Sequence, residues 1–145
     1  MTAGGHEALF QRWIDEAWNQ GNLAVLDQIV APTFVRHAPG TPREWRGLEG
    51  IRQFITVFRT AFPDLRITVD DVVTEGEKVA YRGTGRGTHR GELLGVAPTG
   101  RAVTVTYTVI ARVAGGQFQE DWLDFDALGL LQQLGAIPAP GQASR

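Results

Sequence analysis

The sequence predicts an α+β fold: three N-terminal helices packed in a curved, mostly antiparallel sheet, with a short helix at the C-terminal end. Three observations carry this prediction. Apolar residues recur at helical spacing as far as Phe62. Beyond Pro63 the spacing changes to two, the period of a half-buried strand. The later segments are joined by turn signals at Glu75-Gly76 and Gly115-Gly116. Helices first and hairpin-connected strands afterwards is the order of an α+β fold.

Each element follows from local pattern. Leu9, Trp13, Ile14, Ala17 and Trp18 predict an amphipathic helix over about residues 5–20, stopped by Gly21. Val25, Leu26, Ile29 and Val30 predict a second, shorter helix ended near Pro32. Thr33 to His37 reads as a short strand, and Ala38 to Gly47, with Pro39, Gly40 and Pro42, as a loop. Ile51, Phe54, Ile55, Phe58 and Phe62 mark the buried stripe of a third helix, closed by Pro63. Leu65, Ile67 and Val69 begin the sheet. Lys78 to His89 is a glycine-rich strand, Arg90 to Gly100 a long connection, and Arg101 to Val113 a β-branched strand. Gln117 to Phe125 is the last strand, followed by the final helix. Residues 1–135 are expected to form a single domain, and the Ala-, Pro- and Gly-rich tail from Ala136 is expected to be mobile.

Composition excludes several functions. With 145 residues, 43% hydrophobic and 21% charged, the chain is globular and long enough for a real core. A net charge of −2 gives no basic face for nucleic acid. No apolar run approaches the ~20 residues of a membrane span. The opening MTAGGHEALFQRW lacks the basic and apolar regions of a secretory signal, so a cytoplasmic location is expected. There is no cysteine, which rules out disulfides, thiol nucleophiles and thiolate metal sites. Three isolated histidines without ligand spacing predict no metal site.

The last strand holds the chemistry. Glu120, Asp121 and Asp124 are a dense set of acids for a strand, where carboxylates are depleted. Alternation puts Asp121 on one face and Glu120, Trp122 and Asp124 on the other, unless a bulge reverses the parity. Asp121 is therefore the expected pocket carboxylate, its bland alternative being a bond to a helix N-terminus or a backbone amide. Trp13, Trp18, Phe54, Phe58 and Trp122 read as core or pocket wall. Trp45, in a polar loop, is expected to fold over the pocket as part of a lid. Gly83-Thr-Gly-Arg-Gly87 does not open a helix and reads as strand curvature rather than a phosphate cradle.

The strings WNQGNLAVLDQIVAPTFVRHAP, GLEGIRQFITVFRTAFPDL, GTHRGELLGVAPTGR and DFDALGLLQQLG resemble the SnoaL-like proteins of the nuclear transport factor 2 superfamily. The resemblance covers about Glu7 to Gly135. It implies a cone: a curved sheet wrapped over three helices around a deep apolar pocket for a small hydrophobic molecule. Homodimers are frequent in this group, and one is expected here, through the outer face of the sheet. The superfamily includes polyketide cyclases, ketosteroid isomerases, epoxide hydrolases and non-catalytic members, so fold alone does not choose a reaction.

In SnoaL-type cyclases an Asp on the last strand, with a His on the strand before it, closes a ring by intramolecular aldol condensation without metal or cofactor. Gap-free counting puts that Asp at Leu123, whereas the string D-W-x-D-F puts it at Asp121. The His falls at Val109. Tyr107, two residues away on the same face, is a candidate oxyanion donor, or else a half-buried aromatic with its hydroxyl toward solvent. His37 aligns with the general-base Asp of ketosteroid isomerases and is the second candidate acid/base, or else a buttress of the Ala38–Pro42 loop. The Tyr and Asp those isomerases need fall at Ile14 and Val109, and the Arg-x-Asp of limonene epoxide hydrolases falls at Gly83 and Gly85, so neither activity is expected. His89 belongs to the family string and is a candidate at the pocket mouth, or else bonds backbone. The expectation is a cofactor-independent cyclase or isomerase using Asp121, His37 and Tyr107. Trp13, Phe54, Phe58, Val109, Leu123, His89 and Trp45 are the expected substrate contacts. The alternative is a dimeric module that binds a hydrophobic metabolite without turning it over.

Overall fold

A computed structural model describes residues 4–138 and Gly141. The mobility expected of the tail from Ala136 concerns residues that lie mostly outside that range. The first helix, α1 (Gly4–Gln11), passes directly into a π-helical segment, Arg12–Asn19. There Gln20 N–H donates to the Asp15 carbonyl five residues back. The wider turn lets Trp13, Ile14, Ala17 and Trp18 all bury against the sheet, and π-segments of this kind recur at functional sites. Gly21 ends the segment at φ +69°, a conformation that favours glycine.

The second helix is shorter than its pattern predicts. A 3₁₀ turn at Leu23–Val25 leads into α2 (Leu26–Ile29), and Val30 already begins strand β1 (Val30–His37). Pro32 thus lies inside a strand. The ladder between β1 and its partner lapses from Val30 to Val35, where the missing proline N–H does no harm. The expected loop from Ala38 to Gly47 contains a two-residue strand, β2 (Trp45–Arg46), paired antiparallel to β1. Helix α3 (Gly47–Ala61) follows, then four long strands, β3 (Arg66–Glu75), β4 (Lys78–Thr88), β5 (Ala102–Ala114) and β6 (Gln117–Phe125), and finally α4 (Ala127–Gln133).

One six-stranded sheet results, ordered β2-β1-β6-β5-β4-β3. Its pairs are antiparallel except β1 with β6, which run parallel. The helices fill its concave side. A main core joins the first helix, α2 and α3 to β1, β4, β5 and β6. A smaller one holds Phe62 and Leu93 against Val103, Leu130 and Leu134, beneath α4.

Candidate functional site

Between the two cores lies a cavity of about 100 Å³ that opens to the surface. Its walls are Trp13, Ile14 and Trp18 from the first helix, and Phe54, Phe58 and Phe62 from α3. The sheet contributes Tyr81, Tyr107, Val109, Leu123 and Phe125, among others, and α4 contributes Leu130. Arg36 is the one charged side chain in this lining.

Strand alternation explains Arg36. On β1, Phe34 and Arg36 point inward while Val35 and His37 point outward. Arg36 lies directly beside Asp121 in the parallel ladder. Its Nε donates to Asp121 Oδ1 at 3.0 Å and its Nη2 donates to Oδ2 at 2.8 Å, a bidentate fork between side chains each only 2–3% exposed. The guanidinium also lies over Phe54 at 4.8 Å and near Trp13 at 5.5 Å. Burial opposes its charge, but the adjacent Asp121 carboxylate and its hydrogen bonds outweigh that and hold the Arg36 pKa above its ordinary value. Arginine and carboxylate therefore form one neutral pair, of which the arginine faces the cavity. The Tyr81 hydroxyl also lies beside the guanidinium and helps raise its pKa, and the N–H groups committed to neither Asp121 nor Tyr81 can meet an oxygen on a ligand.

Asp121 faces inward, as alternation predicts. A bulge is present on β6, where Arg112 pairs with Glu120 and Val113 with Phe118, leaving Gln119 extra. It lies before Asp121, so the parity from Asp121 through Leu123 to Phe125 is kept. The carboxylate itself stands behind Arg36 rather than in the cavity lining.

Two phenols join the pair. Tyr81 is buried, accepts a hydrogen bond from Trp13 Nε1 at 3.0 Å, and meets no acceptor for its own proton among the described residues. Tyr107 donates its hydroxyl to the Thr68 carbonyl at 3.0 Å. Burial raises the pKa of both, so each stays a neutral donor through the physiological range. Tyr107 thus lines the cavity with its proton committed to backbone, neither free for an oxyanion nor turned to solvent.

Three expected site residues lie elsewhere. His37 is on the outer face, because neighbouring positions on β1 alternate, and Arg36 takes the inward one. Its Nδ1 lies 2.6 Å from Glu44 Oε2 and its Nε2 lies 2.7 Å from Glu120 Oε2, and its ring stacks on Trp122 at 5.3 Å. His37 and Asp121 therefore occupy opposite faces of the sheet. Trp45 is no lid: it is buried on β2, edge-on to Phe54 at 5.2 Å, with Nε1 donating to the Thr41 hydroxyl. His89 is fully buried outside the cavity wall. Its Nδ1 accepts from the Thr99 backbone N–H at 3.1 Å, bracing the connection that follows β4. The cavity does gather Trp13, Phe54, Phe58, Tyr107, Val109 and Leu123. Val109 and Leu123 are directly paired across β5 and β6, so the two positions aligned with the cyclase His and, without gaps, the cyclase Asp are adjacent and apolar. No three His, Asp or Glu side chains converge in ligand geometry among the described residues.

Sequence reasoning missed Arg36 and Tyr81. A signal for Arg36 was present: it shares parity with Phe34 in the run Phe34-Val35-Arg36-His37, and an inward arginine demands a buried carboxylate.

The model of the SnoaL-like polyketide cyclase family matches residues 8–134. The chain belongs to the SnoaL-like polyketide cyclase family. This SnoaL-like chain is similar to TsrD from Streptomyces laurentii at 33% identity, covering 94% of this chain and 99% of that one with a TM-score of 0.84. It is similar to IdmH from Streptomyces antibioticus, described as a candidate polyketide cyclase, at 33% identity over 88% and 96% of the two chains, TM-score 0.76. AclR from Streptomyces galilaeus, described as a candidate hydroxylase, matches at 28% identity over 97% and 87%, TM-score 0.82. No curated protein matches the chain at significant similarity. No described helix is long and apolar enough to cross a membrane.

Proposed function

We propose that this SnoaL-like chain binds a hydrophobic carbonyl compound in the cavity and closes a ring in it by an intramolecular aldol step, using acid/base chemistry. The observation that carries the reading is the Arg36–Asp121 fork at the wall of an otherwise apolar cavity. A carbonyl oxygen of the substrate sits on the free N–H groups of Arg36, where enolate charge develops in a dry, low-dielectric site. Drawing one arm of the guanidinium toward the substrate frees an Asp121 oxygen to take the proton from the α-carbon. The enolate carbon then attacks a second carbonyl of the same molecule. The proton returns to the new alkoxide oxygen, so the product is an isomer of the substrate. Tyr81 donates a hydrogen bond to that second oxygen during the attack and keeps its own proton. His37, on the outer face, has no part in these steps.

The test is deuterium uptake at the central carbon of a hydrophobic 1,3-diketone in D₂O, followed by NMR. Wild type is expected to accelerate exchange, and Asp121→Asn to lose about 10²-fold or more of that acceleration. Asp121→Glu, which keeps both the charge and the base, is expected to retain part of it. Both Asp121 oxygens are occupied by Arg36, and this favours the alternative of a non-catalytic binding module. A wild type that quenches its tryptophan fluorescence with the diketone yet leaves exchange at the buffer rate would establish that alternative instead.

We further propose that the chain forms a homodimer through the outer face of the sheet. Ile110 and Trp122 support this. They pair across β5 and β6 on that face and are 46% and 41% exposed, a contiguous apolar patch with charged residues around it.

A further inference from the structure

We infer that Gly85 sets the length of ligand the cavity accepts, and that this ligand is elongated, bearing oxygen at one end and plain hydrocarbon at the other. The inference rests on the reading above for the oxygen-bearing end. The uncommitted polar side-chain atoms of the cavity belong to Arg36 and Tyr81, since the Tyr107 hydroxyl, beside Gly83, already donates to the Thr68 carbonyl. Four residues beyond Tyr81 along β4 lies Gly85, about 13 Å away at ~3.3 Å per residue. Nearest to it are the side chains of Ile67 and Leu65 and the backbone of Val105, with no polar side-chain atom among them. A group lodged there meets side-chain hydrocarbon, with the Val105 carbonyl the one oxygen close by, so a hydrogen-bonding substituent on it would find no side-chain partner.

The three glycines that face inward on β4 have different reasons to be glycine. A Cβ on Gly83 would collide with the Thr68 carbonyl and the Tyr107 ring. A Cβ on Gly87 would come within 2.8 Å of Phe62 Cβ. Both make room for the protein itself. Gly85 differs: its added Cβ would meet first the end of the Ile67 side chain, at 3.3 Å, then Leu65 Cδ1 and the Val105 carbonyl oxygen, each at 3.9 Å. Its φ is not in the left-handed region that only glycine favours. The fold therefore takes a small side chain at this position once the flexible end of Ile67 gives by a few tenths of an ångström. What the absent side chain leaves open is the apolar end of the cavity.

Binding of 2,4-alkanediones with straight tails of increasing length, read by quenching of the tryptophans in the cavity wall, tests this. Wild-type affinity is expected to rise about fourfold per added methylene until the tail fills the space beside Gly85. In Gly85→Val the rise stops at a shorter tail, so that the longest diketones bind about tenfold more weakly than to wild type while the shortest bind equally. Gly85→Ala falls between them, and carries the test if the valine variant does not fold. Equal weakening of every member, a series unchanged in both variants, or no binding to wild type would overturn the inference. Length-dependent binding without proton exchange would sink the catalytic reading and leave Gly85 as the gate. Exchange with a length series blind to residue 85 would do the reverse.

Discussion

Arg36 and Asp121 hold each other in place far more than they add to stability. Taking two charges out of water costs several kcal/mol per ion, and the fork roughly offsets that. Removing one partner strands the other. Arg36→Met is expected to destabilise the fold by about 3–5 kcal/mol, because Asp121 stays buried without a counter-charge. The double variant Arg36→Met/Asp121→Leu is expected to recover most of that loss, since its side chains fit an apolar wall that already includes Phe54 and Trp13. Urea denaturation of the four proteins of this cycle reads it directly. Two independent losses that simply add would refute a coupled pair. The same logic constrains the ligand: beside a pair already neutral, a formal charge on the ligand would be left uncompensated, whereas a carbonyl dipole is accommodated.

At the scale of elements, the outer-face cluster around His37 ties β1, β6 and the Ala38–Glu44 connection together. Glu120 and then Glu44 raise the His37 pKa above its ordinary 6.5, and His37, aided by Arg112, holds Glu120 below its ordinary 4.5. The histidine contribution is complete below about 6.5 and fades as pH rises through the raised value. The Glu120 contribution is present above its ordinary value and fades as pH falls through the lowered one. The clamp is therefore strongest between the two ordinary values. Melting temperature is expected to fall between about pH 6 and pH 8 by an amount equivalent to ~0.5 kcal/mol, small because these groups are half in water. His37→Gln should remove that slope, and a slope of equal size in the variant would exclude the clamp. How well each element was legible follows from whether its signal was local. The inward parity of Asp121 followed from alternation because the bulge at Gln119 precedes it. The identities of β4 and β5 followed from β-branched runs and turn glycines. Strand β2 was not legible, since two residues carry no period, and Trp45 was therefore read as a lid when it is a wall of the core. The parallel pairing of β1 with β6 was not legible either. It joins residues 85 apart in sequence, and no local pattern in Val30–His37 names the partner. Without that pairing the inward arginine had no visible carboxylate, and the outward histidine aligned with a family catalytic position took its place.

For the whole molecule, the proposed association through the apolar patch at Ile110 and Trp122 makes a prediction of mass. Light scattering at micromolar concentration is expected to give twice the monomer mass. Trp122→Glu combined with Ile110→Glu is expected to give the monomer mass while leaving diketone binding in place, because both residues face away from the cavity. A wild type that stays monomeric would refute the association. The distance in sequence between the two halves of the candidate site has a further effect. Most strands of the sheet form hairpins with a neighbour made moments earlier. Strand β1 is made early and must keep its edge open until β6 emerges and docks alongside it. During synthesis the Arg36 guanidinium therefore remains solvated through most of translation, and the cavity is enclosed only once the final strand and the helix after it are made.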